Sequence, residues 1–101
     1  AYVKIAGGLR MNEPALDLAI VMAVISSLKD KPVNPRTIIF GEVGLAGEVR
    51  AVPMAEQRVN EAKKLGFETC ILPKTSLDKM RKMEGIRMVG VENIREASSL
   101  L

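Results

Sequence analysis

The sequence contains no histidine and no tryptophan, a single cysteine and three aromatic residues, and each scarcity closes a line of chemistry. Without histidine, Ser-His and Cys-His catalysis are excluded, and a zinc site would need acidic ligands in unusual company. One cysteine cannot form an internal disulfide, so a reducing, cytoplasmic setting is the simpler expectation. Cys70 stands in the apolar run TCIL, where a thiol behaves as a small buried hydrophobe rather than a nucleophile. Tyr2, Phe40 and Phe67 are too few rings to form a platform on which single-stranded bases stack. The longest apolar run, residues 18–25, falls far short of the roughly 20 residues that span a bilayer, so no membrane partner is expected. No charged-then-apolar leader is present, and the chain opens on YVKIA without a methionine, which reads as a domain cut from a longer chain.

What is present fits one globular domain, residues 1–101, with room for a single core: 48% of the residues are hydrophobic and 27% charged. A net charge of +3 permits contact with nucleic acid without demanding it. Residues 2–6 alternate as a strand ended by Gly7 and Gly8. The stretch NEPALDLAIVMAVISSL sets Asn12 as an N-cap, Glu13 at the positive helix pole and Pro14 in the first turn. That helix is apolar on most sides and is expected to be central and buried, ending at Lys29, Asp30, Lys31 and Pro32. Two strands over 37–43 and 48–52 flank GLAG, with Gly44 and Gly47 suited to positive φ. A helix over 55–65 closes at Gly66, a short buried strand covers 69–72, and a brief helix over 76–83 starts at Ser76 as its cap. A strand over 87–91 and an amphipathic helix over 92–101 complete an α/β (α+β) fold, a small mixed sheet with packed helices.

Three motifs dissolve on inspection. GEVGLAGEV has the glycines of a phosphate loop, but no G-K-[ST] ending, and a strand follows instead of the helix that would hold phosphate. Ser26-Ser27-Leu28-Lys29 matches the acyl-serine pattern S-x-x-K, yet it recurs at Ser76-Leu77-Asp78-Lys79 and the first copy sits at a helix carboxyl end, where the dipole opposes an oxyanion. Glu42 and Glu48 could act as paired carboxylates, but a solvated hairpin commonly carries such charges. A serine with a lysine base is the remaining hydrolytic option. It directs attention to the start of the long helix, where the residue after Pro14 is Ala15.

GGLRMNEPALDLAIVMAVISSLKDKPV, FGEVGLAGEVRAV, AEQRVNEAKKLGF, CILPK and VGVENIREASSLL, in this order and covering nearly the whole chain, resemble the carboxy-terminal Lon-protease-like domain of the bacterial RadA/Sms DNA repair family. The resemblance implies the Lon proteolytic-domain fold, which is like the second domain of ribosomal protein S5. True Lon proteases place a serine in a G-P-S-A-G helix start and a lysine after G-E-x-x-L-x-G-x-V-x-P-V-G-G. Aligning Pro14 and Pro53 with those prolines puts Ala15 at the nucleophile, Ala55 and Glu56 on the glycine pair, and Arg58 at the general base. Alanine has no attacking atom, and a guanidinium does not deprotonate in proteins, so the resemblance implies a non-catalytic domain.

It further implies a homo-oligomer, a hexamer in the full-length protein, that serves as an assembly platform and DNA contact for a RecA-like ATPase driving branch migration. ATP, magnesium and zinc would belong to upstream parts of the parent and no cofactor to this domain. The DNA-contact candidates are Arg50, Arg58, Lys63 and Lys64, with Arg50 and Arg58 favoured and Lys63 and Lys64 doubling as helix-end cations. The alternatives are a peptidase using Ser26, Ser27 or Ser76, and an interaction module of a magnesium-chelatase-like protein sharing the scaffold.

Overall fold

The computed structural model describes residues 13–101. The strand expected over 2–6, its glycine end and the Asn12 cap lie outside the described residues. A 3-10 turn, Pro14–Leu16, leads into α1 (Asp17–Lys29), followed by β1 (Thr37–Ile39), β2 (Glu42–Val43) and β3 (Val49–Arg50). Then come α2 (Ala55–Lys64), β4 (Thr69–Pro73), α3 (Lys74–Asp78), β5 (Arg87–Val91) and α4 (Ile94–Ser98). β1, β4 and β5 form a parallel sheet with β4 in the middle, and β2 pairs with β3 as an antiparallel ribbon. The architecture is α/β, as the pattern of elements predicts.

β4 shows why the sheet carries helices on both faces. Its sequence TCILP is almost continuously apolar, as a central parallel strand must be, and successive side chains point to opposite sides. Cys70 and Leu72 join one core cluster with Ala55, Val59 and Ala62 of α2; Ile71 joins a second with Leu18 and Met22 of α1 and Ala97 of α4. Burial pushes the Cys70 thiol up to about 12, the behaviour of an inert core residue.

The sequence expectation of a continuous strand over 37–43 is broken at Phe40 and Gly41. Phe40 N–H still donates to Ile71 O at 3.1 Å, after which the chain turns out of the sheet toward α1. Gly41 N–H donates to Ala15 O and Leu18 N–H donates to Gly41 O, both at 2.9 Å. Val43 N–H then donates to Asp17 Oδ2 at 3.2 Å. The tight approach requires glycine, because a Cβ at Gly41 would sit 3.2 Å from Leu18 and Val49 and 3.3 Å from Pro73.

Four other expectations need correction. α1 is not buried on most sides: Leu18 and Met22 are fully buried, whereas Ile20, Val24 and Leu28 are 37%, 54% and 81% exposed. A helix lying on one sheet face buries one stripe, and among the described residues no element covers the opposite one. Gly47 takes φ +85° but Gly44 does not take a positive φ; space beside Gly44 is filled by the Glu48 carboxylate. The helix expected over 76–83 runs instead from Lys74 to Asp78, and Ser76 lies inside it, buried, its Oγ accepting from Val52 N–H at 3.2 Å rather than capping. The closing helix is shorter than 92–101 and is capped by Asn93, whose Oδ1 accepts from Glu96 N–H at 2.9 Å. The predicted Gly66 stop is present, with φ +96° and the Phe67 N–H to Ala62 O bond of a Schellman ending.

Gly41→Ala should destabilise the fold by about 1–3 kcal/mol through overpacking. Urea unfolding followed by circular dichroism measures this; an unchanged midpoint would show that the three neighbours yield freely.

Candidate functional site

The opening turn of α1 and the first turns of α2 meet around Arg58. Ala15 is 3% exposed, its methyl packed in the same core cluster as Phe40, Val52 and Ala55. Glu13, at the N-cap position of the 3-10 turn, makes no side-chain cap. Its Oε2 instead accepts from Arg58 Nη2 at 3.2 Å. Arg58 Nε donates to Pro53 O at 3.1 Å, and the guanidinium carbon lies 5.9 Å from the centroid of the Phe40 ring. Arg58 is thus held by a carboxylate, a carbonyl and an aromatic ring. Both partners of the ion pair are about one-third exposed, so solvent moderates its strength.

The turn under Arg58 is unusual. Met54 precedes α2 with φ +58°, a left-handed conformation that costs a bulky side chain of the order of 1–3 kcal/mol, and it is exposed. The turn is fixed from both ends, since Arg58 N–H donates to Met54 O at 3.0 Å while Arg58 Nε holds Pro53 O.

The four basic candidates do not behave alike. Arg50 lies opposite Glu42 on the β2–β3 ribbon and donates through Nε and Nη2 to Glu48 Oε2 at 3.1 and 2.7 Å. The Arg50 hydrogen bond holds the Glu48 carboxyl below its ordinary range, and Glu48 in turn raises Arg50. Arg58 is engaged as described. Lys63 and Lys64 are exposed in the last turn of α2 and belong to none of the ion pairs among the described residues. Lys63 runs alongside Gly85, where a Cβ would lie 2.8 Å from Lys63 Cε. A second basic segment, Lys79, Arg81 and Lys82, precedes Gly85 in the chain, and the reading of the sequence passed over it although the run KMRKM is plain in it.

Two of the three serines proposed as displaced nucleophiles, Ser26 and Ser76, are occupied. Ser26 Oγ donates to Lys31 O at 2.6 Å, and Ser76 is buried with its Oγ on the Val52 amide. Lys29 Nζ donates to Ser98 Oγ at 2.9 Å, on exposed surface between α1 and α4. Among the described residues no cluster of acidic or cysteine side chains could hold a metal ion, and no helix is long and apolar enough to cross a membrane.

Two outcomes test this geometry. A double-mutant cycle of Glu13→Gln and Arg58→Ala, read by urea unfolding, should return a coupling of about 0.5–1 kcal/mol, as suits a partly exposed pair. Carboxyl carbon NMR should find Glu48 titrating below its usual 4.5, and Arg50→Ala should move the midpoint back up. Since the folded carboxyl is depressed, whatever stability the pair gives is present above the unfolded pKa and lost as pH falls through the folded one.

The family model described as subunit ChlI of Mg-chelatase matches residues 3–76. The DNA repair protein RadA of Bacillus subtilis is 54% identical over 97 residues, 96% of this chain and 21% of that protein. RadA of Streptococcus pneumoniae is 50% identical over 96 residues, 95% of this chain and 23% of that protein. RadA of Halalkalibacterium halodurans is 44% identical over 97 residues, 96% of this chain and 21% of that protein. The chain therefore spans about a fifth of the length of these relatives. The match to the ChlI model and the identity to RadA proteins along almost the whole chain agree with the order of motifs and with the α/β sandwich, and the chain belongs to that family as a domain of the RadA DNA repair proteins.

Proposed function

We propose that this chain is a non-catalytic, Lon-like domain of a RadA-type repair and recombination ATPase, acting as an assembly platform and a DNA contact. The observation that supports the non-catalytic reading is the pair Ala15, in the turn before α1, and Arg58, on α2. A buried methyl occupies the position where the scaffold would present a hydroxyl, and the position of the base holds an arginine tied to Glu13. A guanidinium in an ion pair takes no proton, and the hydrogen bond from Leu18 N–H to Gly41 O has already spent one helix-start donor that could serve an oxyanion. The occupied hydroxyls of Ser26 and Ser76 weigh against the displaced-serine alternative. ATP, magnesium and zinc chemistry fall to other parts of the parent.

Assembly is supported by the exposed stripe Ile20, Val24 and Leu28, whose helical spacing makes it continuous along α1. In a homo-oligomer such a stripe would be covered. For DNA, the ammonium groups of Lys63 and Lys64, in no ion pair among the described residues, are better placed than Arg50 and Arg58, which would have to leave a carboxylate to meet a phosphate. The ChlI match keeps one further reading open, an interaction module of a magnesium-chelatase-like protein on the same scaffold.

Duplex binding by the 101-residue chain should weaken linearly on a log–log plot of affinity against salt, and K63A/K64A should reduce the slope by roughly 2. Size-exclusion chromatography with light scattering should show self-association that Val24→Lys abolishes. A monomer indifferent to duplex at low salt would remove both roles, and cleavage of casein that survives removal of contaminating proteases would end the non-catalytic reading.

A further inference from the structure

The opposite side of the sheet carries a feature that neither the degenerate site nor the α1 stripe uses. Between α3 and β5 lies a groove of about 330 Å³ floored by Leu77, Met80, Met83 and Met88. These side chains are half-buried, packed on the α2-side core below and open above. Three thioethers in one wall give a flexible, polarizable surface that adapts to varied apolar side chains. The volume is at the small end for ligand pockets, room for two or three large side chains rather than a cofactor.

The charged side chains in its lining are both cations, with Glu84 exposed just beyond Met83. Arg81 and Lys82 line the groove, Lys79 precedes them, and all three are exposed. Among the described residues none of the three is in an ion pair. Asp78, the carboxylate just before them, is taken by Lys74 Nζ at 3.2 Å. An apolar floor under a net-basic rim is complementary to one kind of occupant. We propose that this groove docks an acidic peptide segment of a partner protein, with large apolar side chains seated on the methionines and carboxylates on Lys79, Arg81 and Lys82. A duplex would satisfy the cations but leave the thioether floor in water, and a single strand would find no ring in the lining on which to stack.

The test is methionine-methyl NMR on the 101-residue chain. The probe is a short synthetic peptide alternating glutamate with leucine and phenylalanine. The controls are the same peptide with lysine for glutamate, the same with serine for leucine and phenylalanine, and a duplex oligonucleotide. The acidic apolar peptide should shift the methyl signals of Met80, Met83 and Met88 while Met22 and Met54 stay in place. R81E/K82E, two exposed positions, should weaken binding about tenfold by removing two surface ion pairs, with the free spectrum of Met22 unchanged as evidence of an intact fold. The proposal is overturned if the peptide leaves the three signals unmoved, if either altered peptide moves them equally, or if only the duplex moves them.

Discussion

Gly41 accepts from Leu18 N–H and donates to the Ala15 carbonyl, so the first turn of α1 is sewn to the end of β1 by backbone alone. A helix start ordinarily needs a side-chain oxygen for its unpaired donors. Here no side chain caps the turn. Two carboxylates are released for other work as a result: Asp17 accepts from Val43 N–H and draws the β2–β3 ribbon against α1, and Glu13 reaches Arg58 on α2. The glycine is what permits this, since its missing Cβ leaves room for Leu18, Val49 and Pro73 to close around the strand end. The two cores on either side of β4 therefore meet at one point, with Ala15 in one cluster and Leu18 in the other.

Arg58 ties the turn before α1 to the turn before α2. Its guanidinium offers several donors in one plane, enough to hold Glu13 and Pro53 O together while lying over Phe40. A lysine ammonium is a single point on a flexible stem and could not span the same set. The arginine also holds the left-handed Met54 turn from its two carbonyl neighbours, so strain at Met54 is balanced by contacts that arise from the same residue.

Much of this was legible in the chain. TCIL, the Gly66 stop and the spacing of Ala55, Val59 and Ala62 each carry a local signal that the tertiary structure leaves intact. Where reading failed, a long-range contact had overruled the local pattern. The break at Gly41 depends on α1, more than twenty residues earlier; Ser76 looks like a cap from its neighbours and becomes a buried acceptor because Val52 arrives beside it. The apolar circumference of α1 was plain, but periodicity cannot say how many faces will find a partner within the same chain. At the site, Ala15 and Arg58 could be named from the resemblance, whereas Glu13 as the arginine's partner required the fold. Arg50 illustrates the same limit in charge, because its pairing with Glu48 two residues away cancels the free cation that composition suggested.

The surfaces left unpartnered among the described residues face different neighbours. The α1 stripe lies outside the Leu18 and Met22 core, while the methionine groove and its cations pack on the α2-side core across the sheet. Two faces separated by a sheet do not compete for the same neighbour. A subunit that used Ile20, Val24 and Leu28 to meet its own kind would still present Lys63, Lys64 and the Lys79–Arg81–Lys82 rim to a different, negatively charged partner. The strands connect the two surfaces: β4 alternates its side chains between the two cores, and β5 does the same, with Met88 in the groove and Val89 and Val91 in the α1-side core, so close packing leaves little freedom for either face to shift alone.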